Sequence, residues 1–179
     1  MNSKLEEMTS FGHMTDAGID VLVDDKFPRT KIDSCLEAIQ AGERWILERY
    51  PDVEEGLGLY TIGLKNGNTK SRIWFERYEI TLARSNWISF YARACRDIGH
   101  GLKEHVGRYD KELVFMTNVI HELTHAVQCI RNFHKKNETD TTRNELAWLK
   151  ENKPGIFRRC FNGKAPEVFE HATIERKRR

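Results

Sequence analysis

The string His121-Glu122-Leu123-Thr124-His125 constrains this chain more than any other feature. Two histidines four apart fall on one face of an α-helix, one turn apart, so both imidazoles can reach a single metal ion. Glu122 points close to the same face, where it can hold a water beside that ion and take its proton. The surrounding segment, from Asp110 to about His134, has helical periodicity. Phe115, Val119, Leu123, Ala126, Val127 and Ile130 form an apolar stripe, while Asn118, His121, His125, Gln128 and Asn132 form a polar one. Asp110 is a candidate N-cap. The motif therefore sits mid-helix, with its ligands off the core-facing side and toward a cleft. The bland alternative, a surface helix carrying two histidines by accident, does not account for this helical frame.

Length and composition set the outer bounds. At 179 residues, 39% hydrophobic and 31% charged, the chain fits one globular domain with a real core. No apolar run approaches membrane-spanning length, and the first residues, Met1 to Glu7, lack the basic-then-apolar pattern of a signal peptide. A formal net charge of +2 does not call for a nucleic-acid partner. The basic end Arg176-Lys177-Arg178-Arg179 reads as a solvated tail. The four cysteines, at 35, 95, 129 and 160, form no CxxC pair; with no secretion signal, reduced thiols and a cytoplasmic location are expected. Cys129 lies one turn beyond His125, about 6 Å further along the axis by helix rise, so it reads as a buried free thiol rather than a further ligand.

Along the chain, residues 1–28 have weak periodicity and read as an N-terminal arm, mobile or with a short strand at Ile19 to Val23. Thr30 to Tyr50 predicts an amphipathic helix stopped by Pro51. Leu57 to Leu64 predicts a strand, weakened by two glycines, followed by a turn at Asn66-Gly67-Asn68. Ile73 to Leu82 predicts a second strand, or two with a bend, and Trp87 to Tyr91 a third. After the motif helix come a polar break at Asn137-Glu138-Thr139-Asp140, a helix at about 142–152, a turn near Pro154-Gly155, and a last helix starting near Pro166. Residues 29–179 are expected to form one domain. There is no internal repeat.

The motif and this order of elements resemble the zincin metallopeptidases. The resemblance implies an α+β fold, with a twisted, mostly antiparallel sheet packed on the HExxH helix. It also implies Zn2+, a peptide or protein substrate, and a cleft beside an exposed strand, such as 86–91. Glu122 would then be the catalytic base, and His121 and His125 metal ligands. The third ligand sets the subclass. A metzincin needs histidine six residues after the second, where this chain has Arg131. The SprT-like proteases carry a later His-Gly motif, and no His-Gly follows His125. Glu145, twenty residues after His125 and preceded by Asn144, resembles the glutamate of the gluzincins and is the expected ligand. Leu149 stands where that group often has an acidic outer partner, which leaves the histidines without an obvious orienting group. Glu170 and Glu167, on the last expected helix, are rival ligands; His134 and His171 are weaker ones.

His100, His105, Arg108 and Tyr109 precede the motif helix. They are candidates for stabilising an oxyanion, though each reads first as an ordinary surface or packing residue. Trp45, Trp74, Trp87 and Trp148 read as core, with a cleft role open for Trp148. Two other functions stay open at this point: a zincin-fold binding or regulatory module without activity, and a structural zinc site closed by four protein ligands.

Overall fold

Ile32, Cys35, Ile39, Trp45 and Ile46 recur at helical spacing, and they are the residues that the first long helix, α1 (Ile32–Arg49), buries. Pro51 follows the C-cap residue Tyr50 and opens a short 3-10 turn, which leads into a single turn of helix, α2 (Glu54–Leu57). These elements belong to a computed structural model that describes Leu5 and residues 9–66, 71–84, 111–132 and 137–161. The described strands are β1 (Thr9–Met14), β2 (Asp20–Val23), β3 (Thr61–Asn66), β4 (Arg72–Trp74) and β5 (Glu79–Arg84). The remaining helices are α3 (Lys111–Asn132), which carries the HExxH string, α4 (Glu138–Asn152) and α5 (Pro154–Phe161).

The fold is α+β, as expected, but the sheet is mixed rather than mostly antiparallel. Its order is β1-β2-β3-β5-β4. The three inner strands β2, β3 and β5 run parallel, and the two edges pair antiparallel. The cause is the connection between β2 and β3: α1 crosses from the end of one to the start of the other, and such a crossover leaves adjacent strands parallel. β4 and β5 are the two strands with a bend that the 73–82 run allowed. A 3-10 turn at Phe75–Arg77 reverses the chain between them, and Tyr78 closes it in the left-handed region, at φ 51°.

The short strand allowed at Ile19 to Val23 is β2, and it belongs to the sheet rather than to a separate arm. Ile19, Val21 and Val23 alternate into the core, and β2 lies inside the sheet between β1 and β3. The strand expected at 57–64 begins later, at Thr61. Leu57 instead ends α2 and is fully buried, and Gly58 sits where a Cβ would lie 2.6 Å from the Ala17 carbonyl oxygen. The two glycines thus belong to different structures, a tight approach (Gly58) and a strand (Gly63). The strand at 86–91 and the helix beginning near Pro166 lie outside the described residues.

α3 packs its apolar stripe against α1. Val119, Leu123 and Ala126 are buried in the core together with Met116, Ile120 and Val127. The helices meet at Gly42, where an added Cβ would lie 2.5 Å from Val119 Cγ1. This contact fixes the rotation of α3 about its axis, and so fixes which way His121 and His125 face. Among the described residues, no helix is long and apolar enough to cross a membrane.

One buried carboxyl ties α1 to the β1–β2 turn. The Thr15 hydroxyl and the Ala17 N–H both donate to Glu43 Oε1, while Oε2 has no partner among the described residues. Burial raises the Glu43 pKa above 4.5, outweighing these hydrogen bonds. The folded state thus binds this proton more tightly than the unfolded chain. The resulting stability is fully present below about pH 4.5 and is lost as pH rises through the raised folded-state value. Glu43→Gln should remove that loss. Denaturant unfolding of both proteins from pH 4 to pH 8 checks it, and parallel stability profiles would contradict it.

Candidate metal centre

His121 and His125 sit one turn apart on α3, with ring centroids 4.8 Å apart and the rings edge-on. The helix supplies the pair and α4 supplies the rest. Asn137 caps α4 by accepting the Thr139 N–H, so the helix begins at Glu138, four residues earlier than its apolar pattern suggests. Glu138 therefore lies in the first turn, directly over the two histidines. Its Oε2 is 3.4 Å from His121 Nε2 and its Oε1 is 3.5 Å from His125 Nε2. Among the described residues, His121, His125 and Glu138 form a group that could hold a metal ion, with ligand atoms within 4.8 Å of one another.

The outer nitrogens of both rings are engaged elsewhere. His121 Nδ1 is 2.6 Å from Glu145 Oε1. The carboxylate accepts, so Nδ1 carries the proton and Nε2 keeps its lone pair. His125 Nδ1 is 2.8 Å from Gln128 Oε1. Here the backbone of Asn137 fixes the amide orientation. Its N–H donates to Gln128 Oε1 at 3.0 Å, and its carbonyl accepts from Gln128 Nε2 at 2.8 Å. Oε1 therefore faces the ring, His125 Nδ1 must donate, and its Nε2 is also left as a lone pair. Both imidazoles are set in the tautomer a metal ligand requires.

The electrostatics agree. Burial lowers the His125 pKa, but the facing Glu138 carboxylate, the hydrogen bond to Gln128 and the negative charge of Glu122 outweigh it, and the pKa rises above 6.5. A pocket that favours a proton on a buried imidazole is a pocket that favours positive charge.

Each expected site residue can now be placed. His121, Glu122 and His125 share one face, with Glu122 and His125 buried. Glu145 does reach the centre, but from behind: it holds His121 by Nδ1, while Glu138 spans the two Nε2 atoms. The two glutamates are seven positions apart, about 10.5 Å of helix, too far for both to meet the same ion from one rigid α4. The orienting groups that Leu149 seemed to leave missing are Glu145 and Gln128; Leu149 itself is fully buried in the core. Trp45 and Trp148 are core residues, as expected. Cys129 is a free, half-buried thiol outside the metal group. Glu167, Glu170, His171, His134, His100, His105, Arg108 and Tyr109 lie outside the described residues. Sequence reasoning missed Glu138, which stood in a segment taken for a break. The usable signal was Asn137, a good capping residue just before an acidic first turn.

α4 is held in place by its own contacts. Asn144 donates to Thr124 Oγ1 at 3.0 Å, and Thr124 in turn donates to the Ile120 carbonyl. Gln128 is the clamp nearest the site. Gln128→Leu should lower zinc affinity by about 10- to 100-fold, the usual cost of losing an outer partner, and should leave the Asn137 N–H without its side-chain acceptor. Zinc titration against a competing chelator reads the effect, and an unchanged affinity would remove Gln128 from the site.

Compared with protein-family models, curated proteins and solved structures, the chain finds no match. The functional reading therefore stands on the geometry of these residues.

Proposed function

We propose that this protein is a zinc-dependent metallopeptidase of the zincin kind, with His121, His125 and Glu138 as its metal ligands and Glu122 as its catalytic base. One observation carries the reading. The Nε2-to-carboxylate separations of 3.4 and 3.5 Å are long for hydrogen bonds, yet close to the edge, about 3.3 Å, of a tetrahedron with bonds of about 2.0–2.1 Å. Two imidazoles and one carboxylate are a donor set of the type found in catalytic zinc sites.

Among the described residues no fourth His, Cys, Asp or Glu belongs to the group. Two histidines and one glutamate are the donor set of a catalytic centre with an open position, whereas structural sites are closed by four ligands that usually include cysteines. Zinc held by these three residues would supply a Lewis acid, acidifying water and polarising a carbonyl. The chain's own groups do the remaining work. Glu145 and Gln128 hold the imidazoles in register. Glu122, next to His121 on the same helix, would take a proton from an attacking water and return it to the leaving amine. A non-catalytic binding module would have no use for a carboxylate at that position.

Metal analysis of the purified chain, paired with cleavage of casein or a peptide library before and after chelation, tests the proposal. About one zinc per chain and chelator-sensitive cleavage are expected. Absence of zinc, or cleavage indifferent to chelation, would overturn it.

A further inference from the structure

Asn118 is 1% exposed, and neither its Nδ2 nor its Oδ1 is hydrogen-bonded to a described residue. Burying an amide without partners costs stability, and an apolar residue of the same size would avoid that cost. The position makes the omission informative. Asn118 lies three residues before His121 and four before Glu122, on the same face of α3 and one turn nearer its N-terminus. Other polar side chains of this helix are engaged: His121 by Glu145, His125 by Gln128, Thr124 by Asn144. His125, two turns further along the same face, is buried to a similar depth.

We propose that Asn118 is a substrate-binding residue of the metallopeptidase site, recognising an amide group of the substrate. A carboxamide offers one donor and one acceptor side by side, and its complement is another amide. Nδ2–H donates to the substrate carbonyl, and Oδ1 accepts the substrate N–H. The partner is either the N–H and C=O of one extended substrate residue next to the scissile bond, which point the same way, or the primary amide of a Gln or Asn side chain; the C=O and N–H of a single trans peptide unit point apart. This assignment rests on the reading of the site given above.

The test uses the full zinc-loaded chain and three probes: acetohydroxamate, an N-acetyl-leucyl-leucine hydroxamate, and its glutamine counterpart. Asn118→Leu keeps volume and removes both polar atoms. It should bind acetohydroxamate as the parent does and bind at least one peptide hydroxamate about tenfold or more weakly, the size of one or two lost hydrogen bonds. Equal weakening of both peptide probes identifies the backbone as the group recognised; weakening of the glutamine probe alone identifies the side chain. If Asn118→Leu does not fold, Asn118→Ala, which cannot overpack, takes its place. Unchanged affinity for both peptide probes, with or without a higher melting temperature, would show a packing residue only and overturn the proposal. A parent that binds no zinc, or none of the hydroxamates, would instead fail the metallopeptidase reading and take this assignment with it.

Discussion

Glu138→Ala should weaken zinc binding more than Glu145→Ala, although Glu145 is the better match to a gluzincin spacing. Glu138 spans the two Nε2 atoms, so its loss removes a proposed ligand and leaves two imidazoles, too few to hold zinc tightly. Glu145 touches only the Nδ1 of His121. Its loss frees that ring to turn and to change tautomer, at a cost of about 10- to 100-fold in affinity. Glu138→Ala should exceed that range. His121→Ala and His125→Ala should abolish stoichiometric zinc. The same order should appear in stability. Zinc at a hundred times its dissociation constant adds about 2.7 kcal/mol to the parent, and that gain should vanish in the histidine variants. Zinc titration and thermal unfolding with and without metal read both effects. A larger loss in Glu145→Ala than in Glu138→Ala would return the ligand role to Glu145, and strong loss in Glu170→Ala would assign it to the C-terminal segment.

Glu122→Gln should separate metal binding from chemistry. Gln keeps the size of the side chain and removes its basicity. Zinc content should stay near the parent's, because Glu122 is not among the three grouped ligands. Any peptidase rate should fall by about a hundredfold or more, the usual contribution of a general base. Single-turnover cleavage with the zinc-loaded proteins is the appropriate measurement. Equal rates would mean that Glu122 is not the base, or that the activity comes from a contaminating peptidase.

The two expectations differ in how directly the sequence supports them. Glu122 and the two histidines are fixed by helix period alone: residues at i, i+1 and i+4 share a neighbourhood in any α-helix. The apolar stripe from Phe115 to Val127 was equally legible, because a helix buried along one side writes its burial into the chain at the same period. The helix over 30–50, with Pro51 as its stop, follows the same logic.

What the sequence did not reveal depended on where other elements dock. Glu138 is an ordinary exposed acidic residue by composition, half exposed in the fold. It becomes a candidate ligand because the Gln128 amide ties the start of α4 to α3 through the Asn137 backbone, a pairing between side chain and main chain with no periodic signature. Glu145 reached the expected centre but turned out to hold a ring from behind, because α4 begins at residue 138 and its first turn takes the place over the two Nε2 atoms. The short strand at Ile19 to Val23 was legible as an option, but not its place inside the sheet, because four residues offer too short an alternation to tell a central strand from an arm. That β2 and β3 run parallel follows from how α1 crosses between them, not from either strand's own residues. By itself the sequence determined which residues on one helix can act together. Only the tertiary structure decided which carboxylate faces them, because that choice is made by the docking of a second helix, through contacts remote in sequence.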